Sequence, residues 1–190
     1  MAVLEVLAYP NEFLRKKAQP VTRFDEPLRT LVKDMEDTMA AEDGVGLAAT
    51  QIGADLQLLL VHPYAFKGDE ARDEPVLVVI NPEVAWESPE RITAEEGCLS
   101  FPDVFIQVSR PAKVRIRALD LEGRPFEVEG EGLGARALLH EVDHLNGVVM
   151  IDHVSFLSRQ RALKKHQKNQ ADLVAAAKKK KAEAAKAPKV

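Results

Sequence analysis

The sequence has only one cysteine, Cys98, and lacks any uninterrupted apolar run of the length that a membrane-spanning helix requires. A single cysteine cannot form an internal disulfide, which excludes a disulfide-stapled scaffold. A membrane helix needs about 20 consecutive apolar residues, so no membrane partner is expected. Basic residues follow the N-terminal apolar stretch instead of preceding it, which reverses the order found in a signal peptide. These absences predict a soluble cytoplasmic protein.

The apolar content is high enough for a sizeable core. Of the 190 residues, 46% are hydrophobic, and this fraction excludes wholesale disorder. The length suits one globular domain and is short for two.

Charge is distributed unevenly along the chain. Segment 159–190 carries eleven lysines and arginines and two acidic residues, a net charge of +9, whereas the rest of the chain has a net charge of −13. A basic tail can bind a polyanion such as RNA through phosphate neutralisation. The alternative is a solvated helix with a lysine-rich end, since runs of charge usually stay solvated. DNA is not expected as a partner.

Three helices are predicted from apolar periodicity and from terminal signals. The first has Asp25 as its N-cap and Gly44 as its stop, and the second ends at Asn146 and Gly147. The third is basic. The predicted ranges are residues 27–42, residues 133–145, and a segment from about residue 155 past residue 165.

Short β-rich runs fill the middle of the chain. Apolar and alternating segments there predict strands, and the charged, turn-rich link 64–75 predicts a surface loop. The glycine-containing segment 44–49 is expected to be a loop whose backbone approaches another group closely. Strands in the middle and helices toward both ends favour an α+β fold. The predicted strands are residues 56–61, 76–80, 113–118 and 126–128.

The strongest chemical signal is the segment His140-Glu141-Val142-Asp143-His144 on the second predicted helix. Residues four apart share one helix face, so both imidazoles can bind one metal ion while Glu141 reaches a bound water. Apolar residues on the other side predict a buried helix, where unpartnered imidazoles would be costly. The alternative is a pair of core histidines bonded to backbone carbonyls, which this spacing disfavours.

A catalytic metal site of this kind needs a third protein ligand. In one zinc-protease pattern it follows the second histidine by six residues, where this chain has Met150, a poor zinc ligand. In another it is a downstream glutamate, and the only one here is Glu183 in the lysine-rich end. Asp152 and His153 come just after a helix stop and are weak candidates. Cys98 is the remaining candidate, although a lone cysteine is usually a small buried hydrophobe.

Three segments together resemble the motifs of the peptide deformylase family, in the same order and at similar separations. They are Gly44-Val45-Gly46-Leu47-Ala48-Ala49-Thr50-Gln51, Glu96-Gly97-Cys98-Leu99-Ser100 and His140-Glu141-Val142-Asp143-His144-Leu145. The resemblance covers residues 4–165 and implies an α+β fold, with small antiparallel β-sheets packed around a central metal-bearing helix and with a C-terminal helix. It also implies a hydrolase that removes the N-formyl group from nascent bacterial polypeptides.

The resemblance further implies a metal and a division of the chain. Cys98, His140 and His144 would hold one divalent ion, with Fe²⁺ as the usual native metal and Zn²⁺, Ni²⁺ or Co²⁺ as substitutes. Residues 1–165 would form the catalytic domain, and residues 166–190 a basic tail that is helical to disordered. A C-terminal helix in similar bacterial enzymes docks near the ribosomal exit, which would suit this tail.

Catalytic and substrate-binding roles are implied in the same way. Glu141 would move a proton from water to the leaving amine, while the Leu99 N–H and the Gln51 amide would bind the oxyanion. The substrates would be N-formyl-methionyl peptides, and the products formate and a free α-amine. Gly46, together with Gly44, would let a substrate backbone lie alongside as an added strand. The candidate walls of the methionine pocket are Val45, Leu133, Ala137 and the flank of His140.

Two positions depart from the family pattern. Many relatives have a basic residue near the substrate where this chain has Phe105. Relatives often have an apolar residue at the position of Arg136, which either lines the pocket entrance or points to solvent.

Two other functions remain open from the sequence. A metallopeptidase would take its third ligand from the residues after His144 instead of from Cys98. An RNA-binding module associated with the ribosome would have a structural metal site, closed by a fourth protein ligand.

Overall fold

The computed structural model describes residues 2–186, with side chains described as far as residue 175. Four helices and seven strands follow one another along this part of the chain, joined by short 3₁₀ turns. In chain order they are α1 (Glu26–Ala41), β1 (Gly46–Ala48), β2 (Leu58–Val61), α2 (Tyr64–Lys67), β3 (Leu77–Glu87), β4 (Arg91–Gly97), β5 (Phe105–Pro111), β6 (Lys113–Leu119), β7 (Pro125–Glu131), α3 (Leu133–Leu145) and α4 (Phe156–Lys186).

The strands form two antiparallel sheets, which confirms the predicted α+β fold. The larger sheet has the order β1-β2-β3-β6-β7, and β4 and β5 pair with each other as a separate hairpin. In β6, exposed Lys113 and Arg115 alternate with buried Val114 and Ile116, because successive side chains of a strand point to opposite faces. β1 lies at an edge of the larger sheet and pairs with no second strand among the described residues.

Helix α1 begins and ends one residue earlier than predicted, with Asp25 as its N-cap as expected. The Asp25 side chain accepts a hydrogen bond from the Leu28 N–H at 3.4 Å, which satisfies a free amide of the first turn. At the other end Asp43, not Gly44, adopts the left-handed conformation, with φ 52°. The Gly44 N–H then reaches the Met39 carbonyl at 2.9 Å, the pattern of a Schellman cap. The helix therefore stops before Gly44 as expected, but the left-handed residue of the cap is Asp43, since an aspartate tolerates this conformation.

Two segments predicted as loops contain regular structure. Gly46 lies opposite Val61 in the pairing of β1 with β2, so part of the glycine-containing segment is a strand. The link 64–75 contains α2 and the 3₁₀ turn Gly68–Ala71. Both predictions were wrong because pairing and packing against distant elements, which local composition does not reveal, stabilise these segments.

Helix α3 has the predicted bounds and lies at the centre of the fold. Gly147 adopts a left-handed conformation, with φ 72°, just after the Asn146 cap. On one side of the helix, Leu138, Val142 and Leu145 pack into an apolar cluster with the larger sheet. Burial of each such side chain stabilises the folded protein by about 1.5–3 kcal/mol. The other side faces the β4–β5 hairpin.

Helix α4 packs against the turn that joins β4 to β5. The His166 Nε2 lies 2.6 Å from the Tyr9 carbonyl, and the Asn169 amide donates to the Pro102 carbonyl at 3.1 Å. The helix continues through residues 165 and 166, where the sequence analysis divides domain from tail, and this division stays a prediction. Residues 187–190 of that tail lie outside the described residues. Within residues 2–186, no helix combines the length and apolar character needed to cross a membrane.

Candidate active site

Helix α3 and the turn of the β4–β5 hairpin bring a thiol and two imidazoles together. Cys98 follows β4 directly, and His140 and His144 lie one turn apart on α3. The Cys98 Sγ lies 3.2 Å from the His144 Nε2, which in turn lies 3.2 Å from the His140 Nε2. The three donor atoms all lie within 4.8 Å of one another. The three predicted metal ligands therefore share one site.

This donor set fits a divalent metal ion. A thiolate and two imidazoles suit Zn²⁺, Fe²⁺, Co²⁺ or Ni²⁺, and three protein ligands are the usual complement of a catalytic site that keeps one position open. Burial alone would raise the pKa of the Cys98 thiol, but the imidazoles of His144 and His140 lower it to about 5. The site thus favours the thiolate, which is the form that binds metals.

The downstream alternatives to Cys98 lie elsewhere. Met150 is buried in an apolar cluster, Asp152 pairs with an arginine of the N-terminal segment, and His153 bonds the carboxylate of Asp143. The side chain of Glu183 lies outside the described side chains. Among the candidates whose side chains are described, Cys98 alone joins the two histidines.

Glu141 places its carboxylate beside β1, at the edge of the three-donor site. Its Oε2 atom is buried and has no hydrogen-bond partner among the described residues. A Cβ atom at Gly46 would overlap this carboxylate, so β1 can approach it only because residue 46 is glycine. Burial raises the pKa of Glu141 to about 7, although the imidazoles of His140 and His144 oppose this. A carboxyl group that titrates near neutrality can both accept and release a proton.

Gln51 is oriented by the backbone of β1. Its Oε1 accepts a hydrogen bond from the Ala48 N–H at 2.8 Å. Because its oxygen is occupied there, its amide nitrogen faces the site, 3.7 Å from the Cys98 Sγ and 3.2 Å from the Ser100 Oγ. Leu99 lies next to Cys98 and lines the same cleft. Both residues predicted to bind the oxyanion therefore line the cleft beside the three-donor site.

A cleft of about 620 Å³ opens from this site to solvent. Cys98, His140 and Glu141 line its inner end, whereas His144 is fully buried beneath it. Phe105 is 57% exposed at the cleft wall. The structure also places all the predicted substrate-binding residues along this cleft, namely Gly44, Val45, Gly46, Leu133 and Ala137.

The residues that support His140 were not predicted from the sequence. The His140 Nδ1 donates to the Glu96 carboxylate at 2.7 Å, and the same carboxylate accepts from Arg110 and from Arg136. Because Nδ1 carries the shared proton, the His140 Nε2 keeps its lone pair for a metal. Although burial opposes it, hydrogen bonds from His140 and Arg110 hold the pKa of Glu96 well below its usual value. Glu96 lies inside a recognised motif, but the sequence spacing gives no sign of its arginine partners.

Arg136 is buried, which excludes the solvent-facing one of the two positions expected for it. It contributes to the cleft wall, yet its guanidinium points toward the β4–β5 hairpin and away from solvent. Charged side chains are rarely buried unless paired, and here the Glu96 carboxylate is the partner.

Comparison with known protein sequences finds matches to one protein family. A family model described as Polypeptide deformylase matches residues 3–160. The chain is 44% identical to a peptide deformylase of Methylocella silvestris, over 88% of this chain and 85% of that protein. It is also 45% identical to a peptide deformylase of Mesorhizobium japonicum, over 88% and 93% of the two chains.

Solved structures resemble the chain over nearly its whole length. A peptide deformylase from Legionella pneumophila is 43% identical, with a TM-score of 0.84 over 91% of this chain and 98% of that one. A peptide deformylase from Synechococcus elongatus, solved in complex with actinonin, is 37% identical, with a TM-score of 0.80 over 87% and 88%.

Proposed function

The chain belongs to the polypeptide deformylase family and removes the N-formyl group from nascent polypeptides, and we propose that it does so at the site formed by Cys98, His140 and His144. The observation that carries this proposal is the position of Glu141. Its carboxylate is buried and unpartnered among the described residues, beside three clustered donor atoms and at the inner end of an open cleft.

The three clustered residues would hold one divalent ion. When bound, such an ion supplies a Lewis acid that lowers the pKa of a water molecule from about 15.7 toward 7. We propose Fe²⁺ as the native metal, with Zn²⁺, Ni²⁺ or Co²⁺ as substitutes, since metal availability decides among ions that the same ligands accept. A thiolate and ferrous iron are both oxidisable, so the iron form is expected to be oxygen-sensitive.

The remaining site residues move protons and stabilise charge. Glu141 takes a proton from the water that attacks the formyl carbon, and it passes this proton to the nitrogen as the C–N bond breaks. Formate and a free α-amine leave. The Leu99 N–H and the Gln51 amide donate to the oxyanion of the tetrahedral intermediate, where the loss of one donor typically costs about 2.7–4 kcal/mol of barrier.

The substrate backbone is proposed to pair with the free edge of β1. An extended peptide can add to an exposed strand edge through main-chain hydrogen bonds, and Gly44 and Gly46 leave room for it. The methionine side chain would then enter the space between Val45, Leu133 and Ala137. An apolar pocket of this kind discriminates by about 1–3 kcal/mol per methylene, so methionine is preferred without being the only side chain accepted.

Replacement of Glu141 by glutamine tests the function. We expect Glu141→Gln to bind one metal ion per chain as the wild type does, while formate release from an N-formyl-methionyl peptide falls by about 10²–10⁴-fold. Metal content is measured by elemental analysis after anaerobic purification. Formate release that survives unchanged in the variant would contradict the proposed role, as would a wild-type chain that releases no formate in its iron form.

We also propose that the enzyme works in the cytoplasm at the ribosome, through α4. The exposed side chains of Arg161, Lys164, Lys165 and Lys168 support this proposal, because clustered cations bind RNA phosphates.

Charge reversal on α4 tests the ribosome proposal. The variant carrying Lys164→Glu, Lys165→Glu and Lys168→Glu is expected to lose co-sedimentation with ribosomes at low salt. A control variant carrying Lys16→Glu, Lys17→Glu and Lys113→Glu, at positions that are also exposed, should keep it. Equal binding by the two triple variants would refute a role for α4.

A further inference from the structure

Three successive turns of α3 make polar contacts with the β4–β5 hairpin. Arg136 and His140 both bond Glu96 of β4, and Asp143 accepts from Arg110 of β5 at 2.5 Å. We call these five residues the polar seam. All but Asp143 are buried, so these contacts, and not water, satisfy most of the charges at this interface.

Within the polar seam, Arg136 alone reaches the backbone of both hairpin strands. Its Nη1 donates to the Glu96 carboxylate at 2.9 Å and to the Val108 carbonyl of β5 at 3.0 Å. Its Nη2 donates to the Ile92 carbonyl of β4 at 3.0 Å. The side chain thus joins one turn of α3 to two strands and to the carboxylate that orients His140.

We propose that Arg136 is a positioning residue that sets the geometry between Cys98 and the two histidines. Cys98 lies in the turn of the β4–β5 hairpin, whereas His140 and His144 lie on α3, so the thiol meets the imidazoles only if hairpin and helix keep one relative position. The hydrogen bonds of Arg136 hold the hairpin and α3 in this relative position, one helical turn before His140. This inference rests on the proposed metal site.

The guanidinium group is suited to this task. Its N–H donors form a rigid planar fork that can bond several acceptors at once, whereas a lysine ammonium acts as a flexible point charge. Glu96 also receives two hydrogen bonds from Arg110, at 2.7 and 3.1 Å. The carboxylate therefore stays paired when Arg136 is replaced, and what is lost is the attachment of this turn of α3 to the backbones of the two strands.

Charge and geometry predict opposite effects of removing Arg136. A positive side chain near a cation site repels the ion, so by Coulomb's law alone its removal would strengthen metal binding. A positioning role predicts weaker binding, because supporting residues around a metal typically contribute about 10–100-fold to its affinity. The sign of the change in metal affinity therefore distinguishes a positioning role of Arg136 from a purely Coulombic effect.

The test compares Arg136→Met and Arg136→Lys with a matched control on the same hairpin. Arg91 donates to the Ser109 carbonyl at 2.8 Å but is exposed and outside the polar seam, so Arg91→Met removes an arginine without touching the site. Zinc affinity of each metal-free protein is measured by competition with a chromophoric chelator. Melting temperatures are recorded with and without zinc.

We expect Arg136→Met to bind zinc about 10–100-fold more weakly, Arg136→Lys to be intermediate, and Arg91→Met to match the wild type. The gain in melting temperature on zinc addition should shrink in the Arg136 variants. If Arg136→Met does not fold, Arg136→Lys alone decides the comparison.

Wild-type or tighter zinc affinity in the Arg136 variants would overturn the inference. So would melting temperatures that fall equally with and without zinc, which is the pattern of a purely structural role. A wild-type chain that binds no zinc would instead overturn the proposed metal site, and the inference with it.

Discussion

The two sides of α3 are buried by different chemistry. Toward the larger sheet, Leu138, Val142 and Leu145 pack among apolar side chains, and toward the β4–β5 hairpin the helix makes the polar seam. Apolar contacts are non-directional and stabilise in proportion to buried area, whereas hydrogen-bonded ion pairs are directional but costly to desolvate. The comparison indicates that the apolar side provides stability and the polar side provides orientation, which a metal site requires.

Removal of Glu96 should have the largest effect, because it breaks the polar seam at its centre. Glu96→Ala leaves the buried guanidinium groups of Arg110 and Arg136 without their shared carboxylate, which we expect to lower the free energy of unfolding by about 3–5 kcal/mol. Zinc affinity should fall as well. Chemical denaturation and chelator competition measure the two quantities, and an unchanged denaturation midpoint would contradict the described network.

Truncation on the apolar side should separate stability from metal binding. Leu138 is fully buried, so Leu138→Ala is expected to lower the free energy of unfolding by about 2–5 kcal/mol. Zinc affinity, measured under conditions in which the variant is folded, should stay at the wild-type value. If zinc affinity fell as much as it does in Glu96→Ala, the two sides of α3 would not divide the roles as proposed.

A methyl group at Gly46 should reduce catalysis while leaving the metal in place. The added Cβ would overlap the Glu141 carboxylate and displace it. A shift of about 1 Å in a catalytic group can cost about 10²-fold in rate. Formate release by Gly46→Ala should therefore fall by about that factor at normal metal content, and wild-type turnover in this variant would show that the carboxylate does not need its observed position.

The ion pair between Arg15 and Asp152, which is partly exposed, should contribute least to stability. The pH dependence of that contribution shows how far this pair differs from the buried polar seam. Burial opposes ionisation of Asp152, but hydrogen bonds from Arg15 and the Val149 N–H hold its pKa below the usual value. Its contribution is therefore present above a pH of about 3.9 and lost as the pH falls through the folded-state pKa. The expected contribution is under about 1 kcal/mol.

Comparison of the free energies of unfolding of wild type and Asp152→Asn tests the direction of this pH dependence. The difference in free energy of unfolding between them should shrink as the pH is lowered from about 6 to about 3. A difference that grows on acidification would contradict the lowered pKa.

The sequence predicted well what depends on local periodicity. The bounds of α3 follow from apolar spacing and from the Asn146-Gly147 stop, and the histidines four residues apart predicted one shared helix face. Three short motifs carry the resemblance to the family. These features were accessible because each is contained within one short segment.

Features that depend on contacts between distant segments were not predicted. The strand at residues 46–48 exists because β2 pairs with it, whereas Gly44 and Gly46 in this segment favoured a loop. The partnership of Arg136 with Glu96 joins positions 40 residues apart in sequence, so no local pattern reveals it. The same holds for the bond between Arg110 and Glu96, which lie 14 residues apart in sequence.

Elemental analysis of anaerobically purified wild type and Cys98→Ala tests whether one metal ion is bound by ligands from both the hairpin turn and α3. We expect one divalent ion per wild-type chain, and loss of that ion together with formate release when the thiol is removed. A Cys98→Ala protein that retains a full equivalent of the ion would show that the thiol is not a ligand, and the site described above would then be wrong.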